Sequence, residues 1–375
     1  MKFIVSSTKL FAQLQTLSRV IAPKSSLPIL EDILFNLDGD QLTLTASDSE
    51  VTLRTTMAVE NAEGAGKVAF GGKLLVETLK EFSEQPLTFL IDDANYKLNI
   101  TTDNGNYSFV GVNGNEYPEL PAMNEASMHT FAISADMLAN GINKTFFCTA
   151  EDELRPVMNG VNFDLLPDGL TLVATDAHRL VRLTYNTIKT EEPVNFILPK
   201  KPATLIKNVL GKGENEAVVR FDSKLIRVEC GTTIIVCRQI EGRFPNYNAV
   251  IPQNNQNTVI ADRQTLINAC KRVAVFASPS TGLIKLSLND NQIRISAQDI
   301  DFSTSAEETI TCSYEGTPMA IGFKAGFLIE LLSAVSSLEV MIELADPARA
   351  GLIIPTDTEE GQEVLMLLMP MLLNE

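Results

Sequence analysis

Asp176, His178 and Arg179 fall within four positions of the stretch "LTLVATDAHRLVRLTY" at 170–185, and the only other histidine in the chain is His129. Types and spacing together suggest a hydrolytic constellation, with His178 as general base, Asp176 as the group that orients it and Arg179 as an anion clamp. No nucleophile in reach and no phosphate-binding loop accompanies them. The competing readings are a plain surface loop and a binding loop. Metal chemistry is poorly supported, since two isolated histidines and scattered acids give no ligand spacing. No cofactor motif is present, so no cofactor is expected. The five cysteines, Cys148, Cys230, Cys237, Cys270 and Cys312, form no CxxC pair and read as small buried apolar residues of a reducing compartment.

The elements that must position the cluster occur three times. "LTLTASDSEVTLRTTM" from 42, "LTLVATDAHRLVRLTY" from 170 and "IRISAQDIDFSTSAEE" from 293 each run as alternating apolar and polar residues, then Ala, a polar residue and Asp, then further alternation. Each reads as two strands around a turn, with Asp48, Asp176 and Asp299 at equivalent places. An aspartate common to all copies has a structural role, bonding nearby backbone amides so that the chain turns. His178 and Arg179 have no counterparts, because Glu50 and Val51, then Asp301 and Phe302, stand in their places; their role belongs to the middle copy.

A helical pattern precedes each pair of strands, at 8–20, 135–147 and 262–276, and a second follows at 72–83, 200–212 and 323–336. In the first, Leu10, Phe11, Leu14 and Leu17 form the stripe of a helix with one buried face. The sequence therefore predicts an α+β protein of three tandem repeats, 1–124, 125–252 and 253–375, each a pair of strand-rich half-units carrying one helix apiece. Repeats stacked with a constant rotation curve, and a curved array can close.

The net charge of −17 argues at first against a nucleic-acid partner. Its distribution reverses that inference, because the six helical segments carry thirteen Lys and Arg against five Asp and Glu, leaving the acidity to the rest of the chain. Six basic helices turned the same way would line a concave surface that attracts a polyanion weakly and without regard to sequence. The longest apolar run, Val364–Leu373, is ten residues with Pro370 inside it, too short for a membrane span. "MKFIVSSTKL" lacks the apolar region of a signal peptide, so a cytoplasmic location and no membrane partner are expected.

Three tandem copies with a basic helix set, "SSLPIL" after the first helix, "ATDAHRL" in the middle copy, "GRFPNY" at its end and a terminal "MPMLL" together resemble the bacterial sliding clamp, the beta subunit of DNA polymerase III. The resemblance spans Met1–Leu373. It implies a non-catalytic processivity factor: a head-to-tail homodimeric ring with antiparallel sheets outside and helices inside, encircling duplex DNA without sequence preference. It further implies opening by a clamp loader, and docking of replicative and repair DNA polymerases through short peptide motifs. An unrelated ring-shaped scaffold, or a hydrolase using Asp176 and His178, is the alternative.

Carried over residue by residue, the resemblance implies a peptide-binding pocket between the second and third repeats. One wall is Thr175, Ala177, His178, Arg179 and Leu180, with Met158 beneath and Pro245 and Val250 from "FPNYNAV". The other is Phe327, Ala348 and Ala350, then Leu367, Leu368, Met369, Pro370 and Met371. It implies a dimer seam of Tyr107 and Phe109 against Val275 and Phe276, and DNA contacts from Lys24, Lys73, Lys200 and Lys201. Ala177 departs from the glycine the family usually has, adding a methyl group at the loop that disfavours a positive φ. Ala348 and Ala350 are also smaller or less polar than is common there.

Overall fold

A computed structural model describes residues 1–22, 24–210 and 216–373. Among the described residues there are six α-helices: α1 (Ser7–Leu17), α2 (Gly72–Lys80), α3 (Ala135–Thr145), α4 (Lys200–Val209), α5 (Arg263–Ala274) and α6 (Ala325–Ala334). Five fall within the stretches expected and α1 begins one residue before its own, at Ser7; Gly211 and Lys212, at the end of the fourth stretch, lie outside the described residues. Among the described residues no helix is long and apolar enough to cross a membrane.

The repeat is written into the helix starts. Ser6, Ser134 and Asp262 stand 128 positions apart, and each side-chain oxygen accepts a backbone N–H three residues on, from Lys9 at 3.2 Å, Met137 at 3.1 Å and Thr265 at 2.7 Å. Such a cap satisfies one orphan donor of the first turn and is worth about 1 kcal/mol. Apolar stripes then fix each buried face: Leu10, Leu14 and Leu17 on α1, Leu75 and Leu79 on α2, Leu266, Cys270 and Val273 on α5, Leu328, Leu331 and Leu332 on α6.

The chain packs as two compact units, residues 1–140 with 201–239, and residues 141–200 with 240–375. The first contains a five-stranded sheet in the order Glu60–Glu63, Lys2–Ser6, Pro86–Asp92, Lys97–Thr101, Asn106–Val110. It also holds a nine-stranded sheet: Val112–Asn113, Gly66–Gly71, Asp32–Asp38, Gln41–Ser47, Val51–Ala58, Thr233–Arg238, Leu225–Cys230, Glu216–Phe221, His129–Ser134. The second unit has its own nine-stranded sheet: Val194–Pro199, Gly160–Leu166, Gly169–Thr175, Arg179–Tyr185, Gln362–Leu368, Gly351–Pro355, Glu339–Leu344, Asn257–Asp262, Ser313–Glu315. A four-stranded sheet completes it: Thr304–Thr311, Gln292–Asp299, Leu283–Asn289, Met319–Lys324.

Every pairing is antiparallel, and each nine-stranded sheet takes strands from two repeats. Val51–Ala58 pairs with Thr233–Arg238 (Leu53 opposite Ile235), and Arg179–Tyr185 pairs with Gln362–Leu368 (Leu180 opposite Leu367). Strand residues alternate between faces, which buries Phe35, Leu42, Leu44 and Leu53 in the first unit and Phe163, Leu172, Val181 and Leu183 in the second. All five cysteines are free thiols. Burial pushes the Cys148, Cys237 and Cys270 thiols up, the last to about 12, which makes them poor nucleophiles.

Candidate peptide-binding site

The turn that holds Asp176 follows the repeat reading. Asp176 Oδ1 accepts the backbone N–H groups of His178 and Arg179, both at 2.9 Å. Asp48 Oδ1 does the same for Glu50 and Val51, and Asp299 Oδ1 for Asp301 and Phe302. A fourth aspartate, Asp222, caps Lys224 and Leu225 in the same way. The structure also corrects the hydrolytic alternative. Asp176 Oδ2 is bound to Arg179 Nε at 2.9 Å, so both oxygens hold the turn and Arg179 rather than an imidazole.

Arg179 organises one end of the site. Its side chain is only 9% exposed and reaches Asp176, Glu330 on α6 and the Phe147 carbonyl oxygen. Burial works against the charge, but Glu330 and Asp176 outweigh it and hold the guanidinium above its usual pKa. The guanidinium carbon lies 4.4 Å from the centroid of the Phe327 ring, whose other cationic neighbour is Lys324, also at 4.4 Å. Exposed His178 stacks on the same ring at 6.1 Å. Phe327 is thus fixed by cation–π and ring contacts.

The C-terminal segment closes this end. Leu368 is paired with Arg179 and Gly351, Met369 N–H donates to the His178 carbonyl at 2.8 Å, and Met371 N–H donates to the Gly322 carbonyl at 2.8 Å. Gly322 permits that approach, since a Cβ there would lie 2.7 Å from the Met371 carbonyl oxygen. Pro370, partly buried, spans the two anchors.

The other end is apolar. Leu180, Leu367 and Leu352 lie opposite one another across three strands. They pack with Val173, Ile197, Phe244, Tyr247, Ile251 and Ala350, and half-buried Val157, Ile240, Ile354 and Leu365 cover the cluster. Val250 (58% exposed) and Met369 (42% exposed) are large apolar side chains left in solvent. Pro245 and Ala348 are exposed.

Of the expected pocket residues, Met158, Thr175, Arg179, Leu180, Ala350, Leu367 and Leu368 are buried. Thr175 is buried, with Oγ1 donating to the Arg179 carbonyl at 2.8 Å and accepting the Ala177 N–H at 3.2 Å. Met158 is also buried, and its carbonyl accepts the Ala150 N–H at 2.8 Å. Ala177 does adopt positive φ, +74°, matched by Ser49 at +79° in the first repeat. Phe147, Glu330, Val157, Phe244 and Tyr247 complete the arrangement without having been singled out from sequence; the last two lie in the quoted "GRFPNY". The whole sets a buried apolar cluster, with Val250, Met369, Pro245 and Ala348 exposed beside it, next to a cationic, aromatic end.

The remaining expected residues are distributed as follows. Lys24 and Lys73 are exposed and make no ion pair among the described residues. Lys200 is bound to Glu151 at 2.8 Å and Lys201 to Asp48, so these two are partly neutralised. Tyr107 and Phe109 lie on the edge strand of the five-stranded sheet, Tyr107 edge-on to Phe82 at 5.1 Å. Val275 (80% exposed) and Phe276 (39% exposed) follow the end of α5.

Residues 1–121, 132–246 and 248–371 match the N-terminal, central and C-terminal domains of the DNA polymerase III beta subunit. The beta sliding clamp of Synechococcus elongatus is 28% identical over 355 residues, covering 92% of each chain. That of Pseudomonas aeruginosa is 26% identical over 369 residues, covering 98% of this chain and 99% of the other. The crystal structure of the P. aeruginosa sliding clamp bound to griselimycin matches over the full length of both chains, with a TM-score of 0.94 and 25% identity. The Bacillus subtilis sliding clamp, at 22% identity and a TM-score of 0.91, shares the fold over the full length of both chains.

Proposed function

This chain belongs to the DNA polymerase III beta subunit family, and from that premise we propose that it closes head to tail with a second copy into a ring around duplex DNA and tethers polymerases to it. The three-domain clamp fold and the role of a non-catalytic processivity factor, partnered with DNA and polymerase, come with membership. The finer reading takes 1–124, 125–252 and 253–375 as the clamp domains.

One observation carries the ring. Among the described residues the sheets have five, nine, nine and four strands, and five with four makes a third nine if the two short sheets join between copies. Asn106–Val110 and Thr304–Thr311 are the free edges that would pair. A bare edge strand is a template for another chain unless it is protected. Tyr107, Phe109 and 79%-exposed Val110 lie on one edge; Val275, Phe276, Ile300 (80% exposed) and Phe302 (75% exposed) lie near the other. The opposite edge of the five-stranded sheet, Glu60–Glu63, carries two glutamates, which disfavour such pairing.

Retention by enclosure needs only weak attraction to DNA. Lys24 and Lys73 with Lys9, Arg19, Lys80 and Lys271 are exposed cations outside any ion pair among the described residues, and in the ring they would face phosphates. Lys200 and Lys201 would exchange their carboxylates for phosphate at little net gain. Opening falls to a clamp loader, and a protein working on the chromosome acts in the cytoplasm.

The surface beside Arg179, with exposed Val250 and Met369 over the cluster of Leu180 and Leu367, would receive the peptide motifs of replicative and repair polymerases. Each buried Leu or Phe anchor contributes about 1.5–3 kcal/mol, so two or three anchors, less ordering costs, give affinity on the order of micromolar, weak enough for exchange. The test is His178→Ala combined with deletion of Met369–Leu373. Polymerase stimulation is expected to vanish while loading as a dimer survives; unchanged stimulation refutes the pocket.

A further inference from the structure

A cavity of about 560 Å³ lies between the first nine-stranded sheet and the linker that crosses it at 114–120. α1 packs on the other face of this sheet, where Thr55 Oγ1 donates to Gln13 Oε1 at 3.0 Å. Two-residue periodicity therefore turns Arg54 and Thr56 toward the linker. The linker is pinned by Tyr117, whose hydroxyl accepts the Ser47 N–H at 2.9 Å and donates to the Asp32 carbonyl at 3.3 Å, while the residue packs with Leu30, Leu34 and Ala69. Gly114 lets it lie close, since a Cβ there would come within 2.5 Å of the Lys67 backbone.

The cavity floor is polar and cationic. Lys67, Asn36, Thr43 and Thr56 form one row across four strands, with Thr45 opposite Arg54 in the next row on that face. Arg54 has five N–H donors and one hydrogen bond among the described residues, from Nε to Thr45 Oγ1 at 3.3 Å. Burial of the guanidinium, with repulsion from Arg227, holds its pKa below the usual arginine range. Arg227 brings no spare carboxylate, because it shares Glu229 with Arg220. Lys67 is exposed and likewise outside any ion pair among the described residues. Glu119 also lines the cavity and pairs with neither cation.

The second repeat offers a comparison. Arg182 stands 128 positions after Arg54, and the hydroxyl pair Thr43–Thr56 at 3.1 Å recurs as Thr171–Thr184 at 3.0 Å. Where the first repeat has Asn36, however, the second has Asp164. That carboxylate accepts the linker Tyr247 hydroxyl at 2.7 Å, and Asp164 and Arg182 both act on that hydroxyl. The first repeat thus keeps the arginine and the hydroxyls but has an amide where the second has a carboxylate; Arg182 makes no ion pair among the described residues and its buried Nε has no partner, so what sets the first repeat apart is the open-mouthed cavity that its arginine borders.

We propose that the cavity under the 114–120 linker binds an organic phosphate of mononucleotide size, with its phosphate on Arg54 and Lys67. The volume suits such a molecule. Guanidinium and hydroxyl donors match phosphate oxygens, and Leu34, Ile234, Pro118 and Leu120 give its organic part an apolar wall.

Isothermal titration of the full-length protein with adenosine monophosphate, inorganic phosphate and adenosine tests this. Adenosine monophosphate should bind with a submillimolar Kd, and the other two at least tenfold more weakly. Arg54→Gln should weaken binding at least tenfold and Lys67→Gln severalfold, whereas Glu119→Gln, which removes a repelling carboxylate, should tighten it. Lys67 and Glu119 are exposed, so their variants read the site even if Arg54→Gln lowers the unfolding midpoint. Absence of binding at millimolar adenosine monophosphate, or affinities unmoved by all three substitutions, would overturn the proposal. Equal affinity for inorganic phosphate would overturn its size.

Discussion

Ala177→Gly should stabilise the protein, and the threefold repeat supplies the controls. Ala177 is exposed with φ +74° in the aspartate turn, so its methyl group contributes little burial and carries the full steric cost of the left-handed region, about 1–2 kcal/mol. Glycine removes that cost but adds unfolded-chain entropy of about 0.5–1 kcal/mol. The expected net gain is about 0.5–1 kcal/mol. Ser49, exposed with φ +79° in the equivalent turn, should respond to Ser49→Gly with the same sign. Ile300 occupies the third equivalent place without a positive φ and is 80% exposed in the single chain, so Ile300→Gly recovers no strain and should cost at least about 0.5–1 kcal/mol, and more where the seam covers the side chain. Urea unfolding at fixed protein concentration reads the shifts as changes in midpoint at constant slope. Hydrogen exchange of the His178 and Arg179 amides localises the first, as slower opening in Ala177→Gly. A loss of stability in Ala177→Gly, or the same sign in all three variants, would refute the strain argument.

Two further predictions concern the seam and the first unit. Val275→Asp places a charge on an 80%-exposed apolar side chain and should raise the dimer dissociation constant at least a hundredfold; dimers persisting at micromolar concentration in sedimentation velocity would show that the seam lies elsewhere. Buried Asp222 accepts N–H groups from Lys224, Leu225 and, 98 residues away in sequence, Asn124. Burial favours its protonated form, but the three donors outweigh this and hold its pKa below the ordinary carboxylate range. A depressed folded pKa means that its stabilisation is complete above the unfolded value, about 3.9, and fades as pH falls through the folded one. Asp222→Asn, which turns an amide toward at least one of those donors, should cost about 1–3 kcal/mol at pH 7 and progressively less in strong acid; a cost independent of pH in urea titrations would refute this.

The parts legible in sequence were those set by local chemistry repeated three times. Asp48, Asp176 and Asp299 bond the amides two and three positions on, so type and spacing suffice to recognise them, whereas the caps Ser6, Ser134 and Asp262 emerge only with the helix starts. Asp222 makes the same turn but lies outside the repeated Ala-x-Asp frame and was not singled out. Strand pairing across repeat boundaries was not legible, because the match of Val51–Ala58 to Thr233–Arg238 depends on tertiary register. Half of the candidate site was hidden for a related reason: Phe244, Tyr247, Ile197 and Leu352 read as ordinary core residues, and only the fold gathers them around Leu180 and Leu367. The lysines show a further limit, since sequence gives a charge but not its partner, and Lys200 and Lys201 both have one.

The central claim is that attachment to DNA is topological. The protein should be loaded by a clamp loader onto a nicked circular plasmid, isolated by gel filtration, and the plasmid then cut once with a restriction enzyme. Enclosure predicts that the protein stays with the circle, even in salt high enough to screen surface charge, and leaves within minutes of linearisation; equal retention on circular and linear DNA, or loss from the circle on raising salt alone, would contradict it.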